Sequence, residues 1–252
     1  MNIYIPYKIR LVNNHRLAES VVEWAMKFVS FCPICGSETF TSSVICSDCK
    51  AELDSECFDS FMARCPDCFY PRISDKYACQ RCSCGKMHRL YPVARYGGSL
   101  SYSIVDSFKF HNKKEFAPVV ALYLSRALDV LDPSREAILS PIPCSAARLA
   151  RFGWDQMEEV CKALKRPYLH LLKRNTDYDV QQKSLSRSQR KLISAGKFSL
   201  ADDCPGIEEL KRKKIIVIDD IITTGSTMEA ALSLLANSGF NDVSGASWLA
   251  EL

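Results

Sequence analysis

Two adjacent carboxylates, Asp219 and Asp220, follow the apolar run Ile215-Ile216-Val217-Ile218 and precede, after Ile221 and Ile222, a hydroxyl-rich stretch. That stretch is Thr223, Thr224, Gly225, Ser226 and Thr227, and it leads into a helical pattern. A loop at the carboxyl end of a parallel strand offers a phosphate successive backbone N–H groups, several hydroxyls and a helix N-terminus. Gly225 lets the backbone come close to the anion. Two carboxylates would repel a bare phosphate. They fit a ligand that also carries vicinal hydroxyls able to donate to them, and a ribose 5-phosphate has that arrangement. Neither Gly-x4-Gly-Lys-Ser/Thr nor Gly-x-Gly-x-x-Gly occurs in the chain, so a Walker loop and a dinucleotide fingerprint are both excluded.

A second chemistry lies upstream. Ten of the thirteen cysteines fall between Cys32 and Cys84. Cys32, Cys35, Cys46 and Cys49 form a Cys-x2-Cys-x10-Cys-x2-Cys unit, and Cys65, Cys68, Cys79 and Cys82 repeat it 33 residues later. Paired knuckles of this kind point four thiolates at one ion and suit closed, structural zinc sites. Iron–sulfur ligation is the competing use of the same thiolates. Cys84 could replace Cys82, and His88 is close enough in sequence to compete. Cys144, Cys161 and Cys204 are scattered and read as buried or inert thiols. A third feature is the segment 173–197, with seven basic residues against two acidic ones. It is either a solvated loop or a mobile cover able to close over an anionic leaving group and exclude water.

These residues need elements to hold them. Leu17, Val21, Val22, Ala25, Phe28 and Val29 share one helical face. Tyr91–Tyr96, Ala137–Pro143, Ile215–Ile218 and Val243–Leu249 read as strands. Ser103–Phe110, Phe116–Val130, Ala146–Leu164 with a break near Gly153, and Thr227–Ala236 with Gly239 as C-cap read as helices. Alternating strands and helices predict an α/β domain with a mostly parallel sheet and helices on both faces. The expected organisation is a helical extension over 1–31, a double zinc ribbon over 32–89 and the α/β domain over 90–252.

At 252 residues, with 47% hydrophobic and 25% charged side chains and a formal net charge of +4, the chain has an ordinary globular composition. That charge alone does not argue for nucleic acid. No apolar run reaches the length of a membrane span, and Met1 to Pro6 lack the basic start and apolar core of an export signal. The expected location is cytoplasmic, where Cys-x-x-Cys pairs serve metals rather than disulfides.

The segment Val217 to Thr227 resembles the signature loop of the type I phosphoribosyltransferases. The resemblance implies that Asp219 and Asp220 hold the ribose hydroxyls of phosphoribosyl pyrophosphate and that Thr223 to Thr227 bind its 5-phosphate. Together with the cysteine region, the chain from Cys32 to Leu252 resembles the ComF family, competence-associated phosphoribosyltransferase-like proteins also linked to gluconate utilisation. Further segments carry the likeness. Ser107-Phe108-Lys109-Phe110-His111 is similar to the family's Lys-Phe segment, which implies a substrate-binding part for Lys109. Pro141-Ile142-Pro143 with Arg148, Arg151 and Gly153-Trp154-Asp155-Gln156 is similar to its Pro-x-Pro … Arg-Gly-Phe-Asn-Gln block. Gln182 to Phe198, with Arg187 and Arg190, is similar to its covering loop. Phe152 and Ile193 depart from the family pattern, standing where Arg and Asn are usual, and Trp154-Asp155 replaces Phe-Asn.

Two functions follow as expectations. One is a phosphoribosyltransferase using phosphoribosyl pyrophosphate with Mg²⁺, in which Asp219, Asp220, Arg187 and Arg190 act at the reacting centre and Arg148 and Arg151 bind the pyrophosphate side. The other is a non-catalytic factor that handles single-stranded DNA beside a helicase of DNA uptake, with Trp154 available for base stacking. A glutamine-dependent amidophosphoribosyltransferase is set aside, because position 2 is Asn2 rather than a nucleophilic cysteine.

Overall fold

A strand as continuously apolar as Ile215–Ile218 is stable only with both faces covered, and the structure covers both. The computed structural model describes residues 29–40, 43–72, 74, 77–85, 88–175, 196–201 and 206–251. The chain divides into two compact units, one up to Cys46 and one from Ser47 onward.

In the first unit, β1 (Val29–Phe31) and β2 (Glu38–Phe40) form an antiparallel hairpin with Ser30 opposite Thr39. Its turn is a cysteine knuckle in which Cys32 N–H donates to Ser37 O at 2.8 Å and Gly36 adopts φ 75°. Val29, the last residue of the helical face expected from Leu17, lies in β1 instead, and the other residues of that face lie outside the described residues.

The second unit begins with α1 (Ser47–Ser55), a 3-10 turn (Phe58–Ser60), the short antiparallel pair β3 (Ala63–Arg64) and β4 (Pro71–Arg72), and α2 (Gln80–Ser83). It repeats the knuckle of the first unit: Cys65 N–H donates to Tyr70 O, and Phe69 holds the left-handed turn position with φ 61°. Phe69 stands 33 residues after Gly36, so the duplicated cysteine spacing is matched by a duplicated backbone turn.

There follow β5 (Arg89–Arg95), α3 (Ser99–Phe110), α4 (Ala117–Leu131), β6 (Ile138–Pro141), α5 (Ala146–Phe152), α6 (Gln156–Leu164), β7 (Leu172–Arg174), β8 (Phe198–Leu200), α7 (Ile207–Leu210), β9 (Lys214–Ile222), α8 (Ser226–Asn237) and β10 (Asp242–Ala250). Four strands form one parallel sheet in the order β5-β10-β9-β6. Side chains alternate across it. On one face Met228, Leu232 and Leu235 of α8 join Leu90, Ile215 and Val217 in a buried cluster. On the other, Tyr123 of α4 stacks on Trp248 with ring centroids 5.6 Å apart. Gly245 of β10 permits the first contact, because a Cβ there would come within 2.8 Å of Leu90 and 2.9 Å of Met228. The α/β sheet with helices on both faces, accompanied by cysteine knuckles, is the expected fold class.

Two elements extend beyond expectation. β9 runs on through Asp219 and Asp220, since β10 continues to pair with it as far as Ile222. α3 starts at Ser99 rather than Ser103, because the Glu56 carboxylate accepts from Leu100 N and Ser101 N at 3.3 Å each. The helical stretch over Ala146–Leu164 breaks where expected, at Gly153 with φ 74°, into α5 and α6.

Candidate functional site

The parallel register brings the carboxyl ends of β9 and β6 side by side, and a cleft of about 370 Å³ opens there. Asp219, Asp220, Thr223 and Thr227 line it from β9 and the loop that follows, while Cys144, Ser145 and Arg148 line it from the segment after β6. One face of α3 contributes Tyr102, Asp106 and Lys109, spaced at helical intervals. Asp220 is 3% exposed. Its carboxylate accepts from Lys109 Nζ at 2.7 Å and from Ile221 N–H at 2.7 Å. Asp219 is half-buried, and its carboxylate accepts from Asp220 N–H at 2.9 Å. Burial first and the neighbouring Asp220 charge second push the Asp219 carboxyl up to about 7, against the pull of Lys109.

The loop beyond them exposes hydrogen-bonding groups. Gly225 takes the left-handed conformation with φ 73° and serves as the N-cap of α8, which no side chain caps. Thr223 and Thr224 are exposed, and the Thr224 and Ser226 hydroxyls lie 3.0 Å apart. Thr227 Oγ1 accepts from Lys197 Nζ at 2.6 Å. The α8 N-terminus therefore presents backbone N–H groups and hydroxyls together.

Arg148 is oriented by Gln156, whose Oε1 accepts from Arg148 Nη1 at 2.8 Å. Gln156, 2% exposed, donates from Nε2 to the carbonyls of Phe108 and Lys109 at 3.0 and 3.1 Å. One buried amide thus ties Arg148 to the last turn of α3, next to Lys109. Asp155 fixes the same wall: Oδ1 caps α6 by accepting from Met157 N–H and Glu158 N–H, and Oδ2 accepts from Cys144 N–H at 2.9 Å. Burial, with Asp155 beside it, pushes the Cys144 thiol up to about 12, so it stays protonated and is no nucleophile at neutral pH.

The remaining expected residues are placed as follows. Arg151 is exposed with its guanidinium over the Phe152 ring, and it does not line the cleft. Arg187 and Arg190 lie outside the described residues. Trp154 is 6% exposed, packed on Phe108, with Nε1 donating to Asn112 Oδ1 at 2.5 Å. It is a core side chain and is not available to stack on a base. Sequence reasoning missed Tyr96, Tyr102, Asp106 and Arg174, which line the cleft, and the orienting role of Gln156. The i, i+4 spacing of Tyr102 and Asp106 was the readable signal.

Both cysteine groups converge, the four sulfurs of each lying within 4.8 Å of one another. Sulfur–sulfur separations within them are 3.6 Å for Cys35–Cys46, 3.8 Å for Cys65–Cys82 and 3.6 Å for Cys68–Cys79. A tetrahedron of Zn–S bonds near 2.3 Å has edges of roughly 3.8 Å, so both groups fit zinc. Cys82 completes the second group, and Cys84 and His88 are not members of it. Among the described residues no helix is long and apolar enough to cross a membrane.

A parallel sheet whose acid pair and hydroxyl-rich loop share one cleft defines a domain of the phosphoribosyltransferase type, and residues 156–247 match the family model for the phosphoribosyl transferase domain. The chain is 28% identical to Competence protein ComFC of Streptococcus pneumoniae, over 84% of its own length and 96% of that protein. It is 27% identical to Competence protein F of Haemophilus influenzae, over 86% and 96%, and 27% identical to DNA utilization protein YhgH of Escherichia coli K12, over 77% and 85%. With its paired cysteine groups, the chain is similar over most of its length to proteins of the ComF family.

Proposed function

We propose that the cleft binds phosphoribosyl pyrophosphate and transfers its phosphoribosyl group to an acceptor, as part of DNA uptake. The carrying observation is that the Asp219–Asp220 pair, Thr223, Thr227 and Arg148 line one cleft at the carboxyl ends of β9 and β6. Thr223 to Thr227 and the α8 N-terminus hold the 5-phosphate. Asp219, the more exposed acid, accepts from the ribose hydroxyls. Asp220, held by Lys109 and Ile221 N–H, fixes the strand end beneath it. Lys109 thus serves the ribose side indirectly, and Arg148 faces the pyrophosphate.

Transfer breaks the bond between C1 and the pyrophosphate oxygen and forms a bond from C1 to the acceptor, which gives up a proton. Positive charge grows on the ribose ring, next to the acid pair, while negative charge grows on the leaving group, next to Arg148. Mg²⁺ entering with the pyrophosphate supplies further charge neutralisation there. Arg187 and Arg190 would cover the leaving group from the basic segment.

The link to DNA uptake is supported by the names of the relatives, two competence proteins and a DNA utilization protein. Those names also favour a second reading, in which the cleft and the basic segment handle single-stranded DNA without turnover. Calorimetric titration of the zinc-loaded protein with phosphoribosyl pyrophosphate and Mg²⁺, beside an Asp219→Asn/Asp220→Asn variant, decides between them. Saturable binding that the variant loses supports the transferase. A folded protein that binds no phosphoribosyl pyrophosphate, yet binds oligonucleotide with a salt slope reduced by Arg187→Gln/Arg190→Gln, leaves the second.

A further inference from the structure

Arg81 stands between Cys79 and Cys82, on the four residues of α2, and its side chain is 8% exposed. The turn around it is closed by Ser83 N–H to Cys79 O at 2.9 Å and Gly85 N–H to Cys82 O at 2.9 Å. Its guanidinium donates to His88 O at 3.0 Å, lies 5.7 Å from the Tyr70 ring centroid and ion-pairs with Glu229, whose side chain is 17% exposed. Glu229 belongs to the first turn of α8 and donates its N–H to Gly225 O at 2.9 Å, so it is one hydrogen bond from the phosphate loop. Thr227, two residues before it, lines the cleft.

Two physical consequences follow. A largely buried ion pair with both ends anchored has few alternative geometries, so a knuckle held by four sulfurs limits where the first turn of α8 can lie. A carboxylate in that turn also opposes an anionic ligand a few residues away, unless a cation neutralises it. Arg81 meets both needs.

We propose that Arg81 is a positioning residue for the phosphate loop: through Glu229 it makes the second four-cysteine site set the placement and charge of the α8 N-terminus. The affinity part of this rests on the phosphoribosyl pyrophosphate reading, whereas the placement part can be measured without ligand.

The test uses the full-length, zinc-loaded protein and a double-substitution cycle. Arg81→Gln and Glu229→Gln should each speed amide hydrogen exchange over residues 223–229 by roughly fivefold or more, and the double variant should exchange no faster than either single one. Zinc content should stay at that of the two cysteine groups. Arg81→Gln should weaken phosphoribosyl pyrophosphate binding roughly fivefold, with Glu229→Gln in the same chain recovering most of it. Unchanged exchange in Glu229→Gln, or increments that simply add, would overturn the proposal. If Arg81→Gln sheds zinc, Glu229→Gln decides alone, because it lies outside the knuckle. If the unaltered protein binds no phosphoribosyl pyrophosphate but the exchange result holds, the ligand reading falls and the positioning role stands.

Discussion

The costliest residue in the cleft is Asp219, and its cost bears on function. Its carboxyl sits at about 7 in the folded protein against 3.8 as an isolated group, because burial and the Asp220 charge disfavour ionisation. A folded-state value above the unfolded one means that the folded protein binds the extra proton. The stability this contributes is complete below about pH 4 and is lost as pH rises through 7. Asp219→Asn should therefore stabilise the protein at pH 8 by roughly 1–3 kcal/mol, with the gain shrinking as pH falls from 7 towards 4. Thermal melts across that range check it, and a substitution that destabilises at pH 8 would contradict it. The same group should make ligand affinity pH-dependent: hydroxyl donors need the ionised acid, so binding weakens as pH drops below 7. That Asp219 and Asp220 would share a cleft with the hydroxyl-rich loop was legible from their position just before it. That they differ, one held by Lys109 and one facing the cleft, was not, because Lys109 arrives from α3, more than a hundred residues earlier. Trp154 was misread for a related reason: an aromatic close in sequence to Arg148 and Arg151 looks available until its neighbours Phe108 and Asn112 are known.

The elements around the cleft are joined by a few polar side chains acting at helix ends. Asp155 is the clearest, since one carboxylate caps α6 and also holds Cys144 N–H in the segment that carries Arg148. Asp155→Ala removes three hydrogen bonds to backbone N–H groups, at a cost of about 2 kcal/mol by the usual range for lost caps. The loss should be felt twice, as a lower melting temperature and as weaker binding on the pyrophosphate side, whereas Asp155→Asn should keep part of both. Equal affinity for phosphoribosyl pyrophosphate in Asp155→Ala and the unaltered protein would show that the cap serves stability only. Strands and helices with strong periodicity, such as α4, β9 and α8, were readable to within a few residues. Boundaries set by distant partners were not. Glu56 starts α3 from 43 residues upstream of Ser99, and it needs Gly98, where a Cβ would come within 2.2 Å of its carboxylate. No local pattern encodes that contact.

At the scale of the molecule, the cysteine-rich stretch and the sheet are less separate than their compositions suggest. From Ser47 onward they form one compact unit. Phe58, 0% exposed, shares a buried cluster with Leu90, Ile215 and Val217, and Met62 and Tyr70 pack against it. Leu90 N–H, on the edge strand β5, donates to the carbonyl of Cys68 at 2.8 Å. The 3-10 turn also reaches the sheet, Asp59 accepting from Tyr91 OH at 2.7 Å. A metal site embedded in a shared core cannot come apart alone, because losing it exposes apolar surface that belongs to the sheet as well. Cys68→Ser should therefore lower the stability of the whole α/β unit. Calorimetry should show a single transition displaced downward, by roughly 10 °C if the site contributes about 3–4 kcal/mol, rather than a new low-temperature step above an unchanged main one. Zinc analysis of the same sample should give one ion fewer than the two cysteine groups can hold. A separate early transition with an unshifted main peak would mean that the second ribbon is an independent module, and it would also weaken the case that Arg81 carries its order to the phosphate loop. A joint shift is what one hydrophobic core, crossed by Phe58 and Leu90, requires.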